Sequence, residues 1–342
     1  MFTALRRART TQVAALTTAA LALALSACGT TESSAGSSDT ASASTTASGP
    51  VEVTDARDKA VKLDAPATKV VSLEWGLTEN LLSLGVTPVG AADVDGYNDY
   101  DTVVPLDADT ADVGERGTPN TDAISALEPD LIVSVTGLTD KVYSQLEEIA
   151  PVVVLAGSDG KDPIGYMEKT VNTLAEVTGT QATATTLLSE FDAKVAEGKA
   201  ALEAAGKAGA PFTMSDGWVQ SGTVTIRMYT PTSFFGAVAA ELGLDNQYTE
   251  GGDEEYGLAT IDVEGLTKVT DADSTFLYVE GAAPADSFVA SLKDNAIWKK
   301  LGFVKNDNVK PIANGIWMFG GPKAAEAYID TVVENITGSS AS

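Results

Sequence analysis

The first apolar block of the chain, Val13 to Leu25, is free of charge and too short for an ordinary membrane span. From Gly29 to Pro50 almost no large apolar residue occurs. That Ser/Thr-rich stretch cannot bury enough surface to fold and reads as a flexible tether. Patterned sequence begins at Val51. VEVTDARDKAVKLDAP alternates apolar and polar positions on both sides of Asp55 to Asp58, as a hairpin does. Lys69 to Leu73 predicts a buried strand, LTENLLSLG a helix stopped by Gly85, and Val86 to Ala92 a second strand. Pro119 and Asn120 precede a short helix with Ile124 and Leu127 inward and Asn120 or Thr121 as N-cap. Pro129-Asp130 then leads into the strand LIVSV, a helix over Lys141 to Ile149, and the strand VVVLA.

Two helical patterns occupy the middle of the chain, Tyr166 to Val177 and Thr183 to Ala205. In the second, Leu187, Leu188, Phe191, Val195 and Leu202 recur at helical spacing, while Gly198 and Gly206 weaken or end it. A new strand-helix series starts at Pro211 and echoes the first half. LLSLGVTPVG has a counterpart in VAAELGLDNQY, and PDLIVSVTG has one in DADSTFLYVEG. The fold class expected is α/β: two lobes with central, mainly parallel sheets, joined by one long helix, with the ligand cleft between the lobes. The expected boundaries are 1–28 for a leader, 29–50 for the tether, 51–180 for the first lobe, 181–207 for the interlobe helix and 208–338 for the second lobe.

Composition narrows the chemistry. The chain has 342 residues, enough for two ordinary cores, and a formal net charge of −26. Such a surface repels phosphates, so nucleic acid is not an expected partner, and it favours a soluble monomer. There is no histidine. Ser-His-Asp, Cys-His and imidazole-metal sites within the chain are therefore excluded. A hydrolase would need a Ser-Lys arrangement or a carboxylate pair; no G-x-S-x-G elbow is present, and an enzyme is not expected. The single cysteine, Cys28, closes a leader with Arg6, Arg7 and Arg9 before the apolar block. Leu25-Ser26-Ala27-Cys28 resembles the bacterial lipobox, which implies cleavage before Cys28 and lipidation of that residue.

Four segments carry a wider resemblance: VVSLEWGLTENLLSLGVTPVG, VGERGTPNTDAISALEPDLIV, EYGLATIDVEGL and NGIWMFGGPKAAEAYIDTVV. With their spacing, the lipobox and the tether, the chain resembles the substrate-binding lipoproteins of bacterial ABC importers, most closely the ferric-siderophore branch. The resemblance implies a stiff interlobe helix, little lobe closure, and a shallow cleft lined by aromatics and arginines. It implies no cofactor, because the ferric ion arrives already chelated by the oxygen ligands it prefers. The implied partners are a ferric siderophore, an ABC permease with its ATPase, and the membrane through a lipid on Cys28. The implied location is the outer face of the cell membrane, and the Ala- and Gly-rich composition suggests a Gram-positive source. Capture of cobalamin or haem is the alternative; haem would need a tyrosine or methionine as axial ligand here.

Arg116 matches the family arginine that meets the ligand's iron-chelating oxygens, a task that suits a guanidinium fork; the other reading is a loop arginine, exposed or paired with Glu115 or Asp112. Arg227 could complete a two-sided clamp or cap a neighbouring carboxylate. Trp75 could face the cleft or pack in the core. Tyr256 matches a family aromatic that stacks on the ligand. Trp317 and Phe319 are expected on one face of a strand, cleft or core, and Tyr229 and Trp218 are further candidates. For docking on the permease, Glu264 matches the second-lobe position, and Asp140 is the first-lobe candidate with Glu147 and Glu148 nearby. Glu250 to Glu255 reads as a solvated acidic loop. Gly137-Leu138 stand where some hydroxamate-binding relatives carry an aromatic.

Overall fold

The computed structural model describes residues 49–279 and 287–338; the expected leader with Cys28, and the expected tether up to residue 48, lie outside the described residues. The chain enters as a hairpin, β1 (Val51–Thr54) and β2 (Ala60–Leu63). The first lobe is then built from β3 (Val70–Ser72), α1 (Trp75–Ser83), β4 (Gly90–Ala91), α2 (Val94–Tyr100), β5 (Ala111–Asp112), a tiny hairpin β6 (Gly114–Glu115) and β7 (Thr118–Pro119), α3 (Thr121–Ala126), β8 (Leu131–Val135), α4 (Asp140–Glu147), β9 (Val152–Leu155) and α5 (Pro163–Thr178). Its sheet, in the order β5-β4-β3-β8-β9, is parallel throughout. The strand expected over Val86 to Ala92 shrinks to two residues, because Pro88 has no N–H to give the ladder and pairing starts only at Val89. Helix α2 escapes sequence reading: VDGYNDY is short and polar, with only Val94 and Tyr97 buried.

The chain crosses through α6 (Gln181–Ala204) into the second lobe: β10 (Pro211–Gln220), β11 (Thr223–Tyr229), α7 (Phe234–Glu241), β12 (Asp245–Asn246), β13 (Leu258–Ile261), β14 (Thr275–Tyr278), α8 (Phe288–Leu292), α9 (Gly302–Lys305), β15 (Val309–Pro311) and α10 (Pro322–Thr337). The echo seen in the sequence is topological. As β4 and β8 flank β3 in parallel, so β12 and β14 flank β10. What the second lobe adds is an antiparallel ribbon, β11 and β13, on one side of β10. Gly198 does not weaken α6. A Cβ there would lie 2.7 Å from Ile329 Cγ2 and 2.9 Å from Leu242 Cδ2, so the glycine lets α6 press against α10 and α7.

One continuous core joins the lobes. Leu77 and Val133 of the first, Phe212 and Phe235 of the second, and the inner faces of α5, α6 and α10 belong to a single buried cluster. After β15 the chain returns across the lobe junction through residues 312–321, so the lobes are tied at two crossings rather than one. No helix among the described residues is long and apolar enough to cross a membrane.

Candidate functional site

The cleft between the lobes holds a cavity of about 420 Å³. On the first-lobe side, β3 ends into Glu74, whose extended backbone and carboxylate cap α1; its Oε1 accepts from Trp75 N at 3.0 Å. Arg116 sits at the tip of the β6–β7 hairpin, which aims it back at the same residue. Its Nη1 donates to Glu74 Oε1 at 2.9 Å. The partner is thus Glu74, and not Glu115 or Asp112 as sequence proximity suggested. The guanidinium lies 3.9 Å from the centroid of the Trp75 ring and 5.4 Å from that of Trp317, a stacked geometry that leaves its remaining N–H groups free to point outward. Trp75 itself is 4% exposed, donates Nε1 to Ala92 O at 3.2 Å, and does not line the cavity. The expected cleft contact is corrected: Trp75 is the platform under Arg116, because α1 starts at Trp75, two residues before the expected Leu77, and turns the indole into the cluster with Tyr97 and Trp317.

On the second-lobe side, Arg227 of β11 faces Asp216 of β10 directly across the antiparallel register. Nε donates to Oδ1 at 2.9 Å and Nη2 to Oδ2, so the pair is bidentate. Burial pushes the Asp216 carboxyl up, and the charge of Arg227 works against that rise. Arg227 therefore does both things considered for it: it satisfies a buried carboxylate and it lines the cavity. Tyr229 is buried at the cavity edge, its hydroxyl 2.8 Å from Met318 Sδ and 3.2 Å from Asp216 Oδ2. Trp218 is 42% exposed at the end of β10 and does not line the cavity.

The return segment supplies the rest. Trp317 and Phe319 lie in one turn, closed by Gly320 N donating to Trp317 O at 3.0 Å, and not on a strand. Both rings line the cavity, 5.2 Å apart and nearly edge-on. The turn sits so close to α1 that a Cβ on Gly76 would fall 2.3 Å from Phe319 O. Opposite, Tyr256 leans over Gly157, and the acidic run does more than solvate: Gly160 N donates to Glu254 O at 3.1 Å and Gly157 N to Glu255 Oε1 at 3.2 Å. Burial pushes the Tyr256 phenol up to about 12 and raises Tyr166 and Tyr229 as well. The cavity tyrosines are neutral phenols at physiological pH, suited to hydrogen bonding and stacking.

Tyr166, Glu74, Asp216 and Met318 were missed by sequence reading. Tyr166 had a signal, an aromatic shortly after the end of β9, where the cleft of an α/β lobe lies; its hydroxyl accepts from Ala156 N at 2.6 Å. The carboxylates had none, since nothing local marks which of 48 acidic residues an arginine will find.

The fully buried carboxyl of Glu79 holds the return segment to the first lobe. Its Oε1 accepts from Gly321 N and Ala324 N, each at 3.1 Å, at the start of α10, while its Oε2 and both oxygens of the neighbouring buried Asp101 have no other hydrogen-bond partner among the described residues. Burial pushes both carboxyls up, Asp101 to about 6. The folded pair therefore keeps a proton that the unfolded chain releases near pH 4 (roughly). Its stabilisation is full below about pH 4 and is lost as the pH rises through about 6. Asp101→Asn cannot ionise, so relative to the wild type its stability should improve by on the order of 2 kcal/mol between about pH 4 and about pH 7. Urea midpoints of both proteins across that range measure this; an unchanging difference would refute the shared proton.

Of the docking candidates, Asp140 in the first turn of α4, Glu148 at its end and Glu264 before the 3-10 turn Gly265–Lys268 are exposed. Glu147 is committed to ion pairs with Arg57 at 2.9 Å and Lys59 at 2.6 Å.

Comparison with known proteins places these features in context. Residues 70–314 match the family model described as "Periplasmic binding protein". The chain is 24% identical to the iron(3+)-hydroxamate-binding protein FhuD of Escherichia coli over 80% of its own length and 88% of that protein's. It is 30% identical to the putative ABC transporter substrate-binding lipoprotein YhfQ of Bacillus subtilis, over 73% of this chain and 77% of the relative. The structure of the Fe3+–Desferal-bound siderophore-binding protein FhuD from Vibrio cholerae superposes with a TM-score of 0.68 at 26% identity, covering 79% of this chain and 98% of that one.

Proposed function

The chain belongs to the periplasmic binding protein family, and from that premise we propose that it captures an iron(III)–siderophore complex outside the cytoplasm and delivers it to an ABC importer. One observation carries the reading: the interlobe cavity takes an arginine from each lobe and sets them among aromatic rings. Such a lining holds the outside of a chelate whose metal is already coordinated. The guanidinium forks can donate to chelating oxygens, and the rings cover the apolar backbone of the ligand. The ferric ligands of the relatives favour this reading over the haem alternative. The ligand contacts proposed are Arg116, Arg227, Tyr229, Tyr256, Trp317, Phe319 and the newly found Tyr166. Trp75 acts through Arg116.

In this reading the protein carries no cofactor of its own, acts as a monomer without catalysis, and is held to the outer face of the membrane by a lipid on Cys28. Glu264 and Asp140 meet the permease; Glu264→Lys should lower uptake while leaving ligand affinity intact. Tryptophan fluorescence of the full chain in mild detergent tests the central claim. Ferric hydroxamate, catecholate and citrate complexes, their iron-free forms, haem and cobalamin would be titrated in turn. Saturable one-to-one binding of a ferric complex, weaker without iron and yielding no product, is expected. Tight binding of haem or cobalamin alone would transfer the protein to the alternative.

A further inference from the structure

Resting on the siderophore reading, the charge arrangement of the cleft narrows the ligand. Among the described residues, the charged side chains that line the cavity are Glu74, Arg116 and Arg227. Neither arginine brings a free positive charge. Arg116 is paired with Glu74 at 2.9 Å, and Arg227 is held bidentate by Asp216, which is 7% exposed. Among the described residues no lysine lines the cavity. At the cleft mouth the Glu255 carboxylate accepts from Gly157 N at 3.2 Å and adds negative charge to the rim, while Glu254 gives Gly160 N only its backbone carbonyl. Two arginines thus give hydrogen-bond donors without giving net positive charge.

Ferric complexes differ in charge by simple coordination arithmetic. Three singly charged hydroxamates leave the complex neutral, or cationic where the chain ends in a free ammonium. Three doubly charged catecholates leave it triply anionic. An anion of that charge entering a neutral cavity with an acidic rim would lose its hydration without gaining a counter-charge. A neutral complex loses little and still collects the guanidinium donors.

We infer that this cleft selects ferric complexes of zero or positive net charge, of the trihydroxamate type, and rejects tricatecholates and polycarboxylates by charge.

The test uses the full chain in detergent with three probes: iron(III)–Desferal, which carries a free ammonium, a neutral cyclic ferric trihydroxamate, and a ferric tricatecholate. Both trihydroxamates should bind at least roughly 100-fold more tightly than the tricatecholate. Glu74→Gln keeps the carbonyl that caps α1 but leaves Arg116 uncompensated. It should narrow that ratio about tenfold, by strengthening tricatecholate binding. Raising the salt should narrow the wild-type ratio too, since exposed rim charges are screened. Tricatecholate binding as tight as trihydroxamate binding, or a ratio that Glu74→Gln does not move, would overturn the inference while leaving siderophore capture intact. Failure of all three probes to bind would overturn the inference as well, and siderophore capture would fall with it only if ferric citrate also failed to bind.

Discussion

Asp216→Ala should cost about 3 kcal/mol of folding stability, near the lower bound for breaking a buried ion pair by removing one partner. The deletion leaves the Arg227 guanidinium, 28% exposed, beside the Phe319 and Trp218 rings with its bidentate partner gone. Aromatic faces return only part of what the carboxylate supplied. The Tyr229 hydroxyl also loses Asp216 Oδ2 from its surroundings. Replacing both charges, as in Asp216→Leu with Arg227→Met, should restore much of the loss, because no uncompensated charge then remains. Urea denaturation of the two variants and the parent measures this. A single-variant loss below about 1 kcal/mol would mean that water in the cleft already solvates Arg227.

Arg116→Ala should separate function from stability. Its guanidinium is 36% exposed and its ion pair with Glu74 is near the surface, so folding should change by well under about 1 kcal/mol. Affinity for the ferric complex should fall about 10- to 100-fold, the worth of a charge-assisted hydrogen bond of about 1.5–3 kcal/mol. The loss has two sources: the donors to the ligand disappear, and Glu74 is left in the cavity wall with no opposing charge. Arg116→Lys should fall between, keeping the charge but losing the planar stack on Trp75. Fluorescence titrations beside denaturation curves read both quantities, and unchanged affinity in the alanine variant would remove Arg116 from the binding site.

Most of the frame was legible in the sequence because helices and strands bury one face at a fixed period. LIVSV and VVVLA become β8 and β9, LTENLLSLG lies within α1 and its stop, and the spacing of Leu187, Phe191 and Leu202 marks the buried side of α6. Candidate residues were legible by type, since arginines and aromatics in loops after strands are where α/β clefts find their contacts. The errors fell where a tertiary partner decides the outcome. Trp75 went to the platform instead of the cleft, the Trp317–Phe319 segment turned instead of extending, and the 250–255 run docked on the first lobe.

The sequence by itself determined the α/β alternation and, through the missing histidines, which histidine-based sites the chain cannot build. Only the tertiary structure decided where the charges end up. Arg116 meets a carboxylate 42 residues away, and Glu79 accepts from a backbone amide 242 residues away. Periodicity is a local property that each segment carries alone, whereas an ion pair's geometry depends on how whole elements pack. The cleft's charge balance, on which its ligand depends, is therefore a property of the fold rather than of any one stretch.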